Sequence, residues 1–173
     1  MYEESIRVPL FVHCPDLTDG ECVVEDMVLN IDIAPTILEA AQVPVPSSIY
    51  GKSFFPVIAG TPLKDWRKDF LYQYFWEAAF PMTPTIRGLR TEKYSYIKSY
   101  GAWDIDELYD IEADPHQTKN LIGNIPLKRV TLPPKRYLDK HLKDPKLKAL
   151  VTSYERRIIQ ILADNLGVHS ANH

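Results

Sequence analysis

The side chains with chemistry to offer in this 173-residue sequence do not assemble into a familiar reaction centre. Its five histidines are scattered at 13, 116, 141, 169 and 173. No serine or cysteine stands at a spacing that would give a nucleophile with a base and an orienting acid. Phosphate loops, dinucleotide fingerprints, zinc-protease helices and nucleophile elbows are all missing. The acid-rich run DIDELYD, with Asp104, Asp106, Glu107 and Asp110, is the nearest approach to a loop for a hard cation, which needs oxygen ligands at alternating positions. A calcium loop, however, needs glycine at its sixth position and glutamate at its twelfth. Here Tyr109 and Pro115 stand there, so the run reads as a polar loop entering a short strand. Cys14 and Cys22 can pair across a polar turn or remain two thiols, and eight residues of spacing does not decide between them.

The elements that must position these residues follow from composition and pattern. Hydrophobic residues make up 45% and charged residues 25%, which excludes a disordered tail and a fibrous repeat. Fourteen prolines against seven glycines favour extended segments and rigid turns. The formal charge of -3 is too small to name a partner. Its distribution is uneven, since residues 127–148 carry eight basic side chains against Asp139 and Asp144. Such a segment is usually a solvated face, and can be a site for an anion. No apolar run reaches the ~20 residues of a spanning helix, and the first residues lack a signal peptide's basic start.

VPLFVH (8–13) reads as a buried strand of a parallel sheet, followed by a polar loop. From Asp32 a short helix follows, with Asp32 as its cap and Ile33, Ile37 and Ala40 or Ala41 on its apolar face. A proline-rich connection covers 43–68, and then the grammar changes. FLYQYF (70–75), IRGLRT (86–91), KYSYIK (93–98) and ELYDI (107–111) predict strands close enough in sequence to pair antiparallel. Tyr94 and Tyr96 fall on one face, with Ser95 and Ile97 on the other. Asp144 and Pro145 then open a helix whose apolar positions Leu147, Leu150, Val151, Tyr154, Ile158, Ile161, Leu162 and Leu166 follow helical spacing, with Gly167 closing it.

Five motifs in order resemble the type I sulfatases, the formylglycine-dependent enzymes. They are YEESIRVPLFVHCPD (2–16), NIDIAPTILEAAQVPVP (30–46), YGKSFFPVIAG (50–60), IRGLRTEKYSYIKSYG (86–101) and ELYDIEADPHQTKNLIG (107–123). Each is loose alone, and their order is specific. The resemblance implies the α/β edge of an alkaline-phosphatase/sulfatase-like fold, followed by an α+β C-terminal subdomain of antiparallel sheet and helix. It places the end of an incomplete α/β domain in residues 1–66 and the subdomain in 67–173.

The same resemblance implies the C-terminal part of a sulfuric ester hydrolase, inactive alone, which completes the fold and shapes the substrate cleft. The family's formylglycine arises from a (Cys/Ser)-x-Pro-x-Arg motif that neither Cys14 nor Cys22 fits. Formylglycine and calcium are thus expected in the intact parent, and no catalytic or metal residue carries over to this chain. Expected partners are the missing N-terminal sulfatase domain and a sulfated carbohydrate, not nucleic acid. The parent family is often secreted, periplasmic or lysosomal. In the loop 75–85, Trp76 can stack on a sugar ring, while Glu77, Thr83 and Thr85 can hydrogen-bond it. Against this, Trp76 can instead pack in the core. Arg7 is expected to pair with Glu3 or Glu4 as a structural ion pair. The alternative function is a non-catalytic module that binds sulfated glycans through the basic 127–148 segment.

Overall fold

The computed structural model describes residues 2–15, 23–61, 65–79, 83–100, 106–122 and 144–165. The basic segment lies almost wholly outside them, as do Asp104, Cys22, Leu166 and Gly167. Two compact units emerge. One holds the residues up to Val8 together with those from Asp69 onward, and the other is Pro9–Lys68.

The first unit is built on four antiparallel strands in the order β1-β2-β3-β4: β1 (Asp69–Tyr74), β2 (Ile86–Thr91), β3 (Tyr94–Ser99) and β4 (Glu107–Asp110). Aromatic and β-branched residues favour these segments because their side chains cover a pleated, half-buried surface. Leu89 opposes Tyr96, which in turn opposes Leu108. These three buried residues form the middle of one face. Thr91 closes the β2–β3 hairpin, its Oγ1 accepting the Tyr94 N–H at 3.0 Å. Asn120 protects the far edge. Its Oδ1 accepts the N–H groups of Leu108 (3.1 Å) and Ile122 (3.0 Å), and its Nδ2 donates to the Asp106 carbonyl at 3.2 Å. An exposed strand edge is a template for unwanted pairing, and this side chain occupies it.

The sheet's apolar face is covered by the long helix Pro145–Asn165. Asp144 caps it, with its Oδ1 accepting the Lys146 N–H at 2.8 Å. Val151 and Ile158 are buried against Leu89, Tyr96 and Leu108, flanked by Leu147, Leu150, Tyr154, Ile161 and Leu162. Burying each large side chain is worth about 1.5–3 kcal/mol, so this stripe is the main cohesion of the unit. Among the described residues no helix is long and apolar enough to cross a membrane.

The second unit is organised by a carboxylate. A 3-10 turn (Asn30–Asp32) leads into a helix at Ile33–Ala40. Asp32 is completely buried. It does not cap that helix through its side chain. Its carboxylate reaches backward to the Leu29 N–H (2.8 Å) and across to the Lys52 N–H (2.8 Å), and the Arg67 guanidinium grips both its oxygens. A buried carboxylate must spend its lone pairs on donors, and these backbone groups and Arg67 outcompete the helix end. Gly51 permits the approach, since a Cβ there would stand 1.9 Å from the Ile31 carbonyl oxygen. Thr36 ties in the next segment, donating to the Asp32 carbonyl (2.6 Å) and accepting the Phe54 N–H (3.0 Å).

Besides the cap at Asp32, two further expectations are corrected. Residues 8–13 form no strand, because among the described residues no neighbouring strand pairs with them. Their apolar side chains stand out, with Phe11 90% exposed. The short helix buries Pro35 and Thr36 rather than Ile33 and Ile37. Ile37 is 62% exposed, so the predicted apolar face is real but uncovered. Replacing Arg67 by Ala strands a buried carboxylate, and should lower stability by about 3–5 kcal/mol in urea denaturation. Arg67→Lys, which keeps the charge and loses the fork, should recover part of that loss.

Candidate functional site

The face of the sheet opposite the helix carries a polar network. Strand alternation puts Arg90, Ser95 and Tyr109 side by side there, as cross-strand partners. The first turn of the chain, a four-residue helix at Glu3–Ile6, lies on them. The Glu3 carboxylate takes two bonds from Arg90, Nε to Oε1 at 2.8 Å and Nη2 to Oε2 at 3.0 Å. The Glu3 N–H donates to Gln117 Oε1 at 2.7 Å, and Gln117 holds a left-handed backbone (φ 50°) to present it. Tyr2 stacks edge-on against Tyr109, ring centroids 6.1 Å apart, and both phenols donate to Glu107 Oε2, at 3.0 and 2.7 Å. The described acids of the rejected calcium loop, Asp106, Glu107 and Asp110, are thus structural. Glu107 holds the two tyrosines, Asp106 accepts the Ser99 N–H at 3.1 Å, and Asp110 accepts the Ala113 N–H at 3.2 Å.

The ion pair expected of Arg7 belongs elsewhere. Glu3 pairs with Arg90, and Glu4 lies 3.6 Å from the His116 ring nitrogen. Arg7 contributes its backbone N–H to the Glu3 carbonyl at 2.8 Å and is itself exposed. Arg90 stands eighty-seven residues from Glu3, at a spacing no local pattern reveals.

The opposite end of the sheet holds the predicted sugar-facing residues. The Trp76 N–H donates to Thr85 Oγ1 at 2.9 Å, so the structure brings these two together. Trp76 is 53% exposed and therefore not a core residue. Glu77 and Thr83 are exposed as well, and neither hydrogen-bonds to this pair among the described residues. The Thr85 carbonyl accepts the Tyr100 N–H at 2.9 Å, continuing the β2–β3 ladder one rung outward. The Arg87 guanidinium lies 5.2 Å from the Tyr100 ring centre and donates to its hydroxyl at 3.3 Å. Arg87 and Tyr100 were not among the expected site residues. The available signal was strand alternation, which sets Arg87 two residues beyond Thr85 on the same face. Chemically, this end offers an exposed indole, a hydroxyl and a guanidinium, a set for binding rather than bond breaking.

Three or more histidine, cysteine, aspartate or glutamate side chains do not gather into a metal-holding group among the described residues. The described residues thus offer no group that would hold the calcium ion expected in the intact parent, and the sequence has no formylglycine motif.

Burial raises the pKa of the Tyr109 phenol, and the Glu107 carboxylate beside it raises it further. Tyr96 is pushed the same way by burial and by the charge of Asp106. A raised folded-state pKa means that the unfolded chain loses its phenol protons first. The stability these groups contribute is whole below the unfolded value of 10.0 and is lost as pH rises above it. Absorbance at the tyrosinate band should show Tyr96 and Tyr109 ionising only together with alkaline unfolding. The Tyr96→Phe and Tyr109→Phe variants should each flatten the loss of stability above that pH.

Comparison with known proteins puts a family to this geometry. Residues 1–144 match the family described as N-sulphoglucosamine sulphohydrolase, C-terminal. An N-acetylglucosamine-6-O-sulfatase of Bacteroides thetaiotaomicron is 37% identical over 125 residues, which cover 71% of this chain and 22% of the relative. Human arylsulfatase K is 27% identical over 176 residues, covering 99% of this chain and 32% of its own. A solved structure, BT4656 in complex with its substrate D-glucosamine-2-N,6-O-disulfate, is 32% identical with a TM-score of 0.53, covering 76% of this chain and 24% of that one. The phosphonate monoester hydrolase of Silicibacter pomeroyi shares the fold at 20% identity, with a TM-score of 0.62 over 88% of this chain and 28% of its own. The chain spans between 22% and 32% of the length of these curated relatives. With its four-stranded antiparallel sheet, its covering helix and a match over most of its length, the chain belongs to the C-terminal family of the sulfatases.

Proposed function

We propose that this chain works as the C-terminal portion of a sulfatase that hydrolyses sulfuric esters of sugars. In this reading the α/β domain expected over residues 1–66 is continued by residues 9–66, the first eight belonging with the sheet unit. Residues 67–173 form the subdomain that carries one wall of the substrate opening. The nucleophile and cation come from the rest of the enzyme. The supporting observation is the uncovered apolar surface of residues 9–68. Phe11, Val23, Ile31, Ile33, Ile37, Val43 and Val45 are all exposed there. Exposed apolar side chains in this number within one unit call for a protein partner. The greater length of the relatives supplies one of the right class, an upstream sulfatase domain.

The wall itself is the sheet end at Trp76 and Thr85, with Glu77 and Thr83 beside them in the chain. An exposed indole presents a flat apolar face to a sugar ring, and the threonine hydroxyls supply directional bonds. Ring stacking worth about 1 kcal/mol sets the scale of the effect. Transplanting residues 1–144 in place of the matching C-terminal stretch of the Bacteroides sulfatase should give a folded, active chimera. Trp76→Ala in that chimera should raise KM about fivefold with little change in kcat. The purified chain alone should not turn over a chromogenic aryl sulfate. Turnover by the chain alone, abolished by a chelator, would falsify the proposal.

A further inference from the structure

Two rungs in from the Thr85–Tyr100 pair, the sheet carries a cation with no ion pair among the described residues. Gln73, Arg87 and Lys98 are consecutive cross-strand partners and so share one face, the face that carries the helix. Lys98 is neutralised by Glu155 of that helix, with its ammonium in direct contact with the carboxylate. Gln73 is neutral. Arg87 forms no ion pair among the described residues.

Its guanidinium is nonetheless held still. It sits over the Tyr100 ring at 5.2 Å, with Nη1 donating to the phenol oxygen at 3.3 Å. Its Nε is buried, so a ligand would meet the outer Nη edge. Tyr100 is 48% exposed. A guanidinium stacked on an aromatic ring has already lost most of its rotamer freedom, and its planar fork matches two oxygens of an anion. Thr85 connects this platform to the backbone of Trp76. Its hydroxyl holds the Trp76 N–H and its carbonyl holds the Tyr100 N–H.

Resting on the sugar-binding reading of that loop, we propose that Arg87, braced by Tyr100, receives a sulfate group of a sulfated sugar whose ring lies against Trp76. Because the reacting sulfate must sit at the nucleophile, which this chain does not contain, the group at Arg87 is a second one. The site would then select sugars carrying more than one charge.

The test titrates the 173-residue chain with D-glucosamine-2-N,6-O-disulfate, followed by amide NMR shifts. Wild type should bind, with the largest shifts at Arg87, Tyr100 and Trp76. Arg87→Ala should weaken binding about tenfold, the loss expected for one charge-assisted pair. Arg87→Lys should fall in between, which separates the fork from the charge, and unchanged melting of each variant excludes misfolding as the cause. D-glucosamine without sulfates should bind more weakly and be indifferent to Arg87. Undiminished binding by Arg87→Ala, with weakened binding by Trp76→Ala, would overturn the role of Arg87 and leave the loop's role intact. Absence of binding by wild type would overturn both. Equal affinity for D-glucuronate would overturn the assignment of sulfate.

Discussion

The bidentate bond between Arg90 and Glu3 decides where the chain's first turn belongs. It joins residues eighty-seven positions apart, with both side chains largely buried. Breaking it would leave a guanidinium and a carboxylate without partners on a face that also holds Ser95 and Gln117. Such a pair, once buried, is far costlier to half-remove than to keep. Its neighbours reinforce it, for Gln117 holds the Glu3 backbone and Glu107 holds Tyr2. Residues 9–68 consequently leave from, and return to, stretches of chain that are part of the sheet unit.

The two units are held together by different physics. In the sheet unit, cohesion comes from an apolar layer between strands and helix. Among the described residues of 9–68 the buried set is small and partly polar: Asp32, Pro35, Thr36 and Phe54. A carboxylate with four donors replaces a hydrophobic core there, while the apolar side chains face outward. Exposed apolar side chains in such number are the feature on which the proposed docking against an upstream domain rests.

The two ends of the sheet differ in exposure. Where strands β2 and β3 meet in their hairpin, Thr91 and Tyr154 bond side chain to side chain and the structure is closed. At the other end Trp76, Thr85, Arg87 and Tyr100 are linked through backbone and ring contacts but remain reachable by solvent. Rigid strands supporting an exposed polar and aromatic edge are a sound basis for recognition, because little freedom is left to lose on binding.

Much of this was legible in the residues. Strand alternation around Tyr94–Ile97, the Asp144–Pro145 helix start and the apolar stripe through Ile158 are local, and local periodicity encodes them because neighbouring side chains must share a face. The ordered motifs also carried the family. Asp32 shows where such reading stops. Its position before a helix suggested a cap, but its partners are backbone groups at Leu29 and Lys52 and a guanidinium at Arg67, the last two reached only after the chain has turned back. The same holds for Glu3 with Arg90 and for Arg87 with Tyr100. Local order follows from repeating side-chain geometry along one segment, which the sequence by itself determines. Which charges meet depends on chain reversals between segments, and only the tertiary structure decides those.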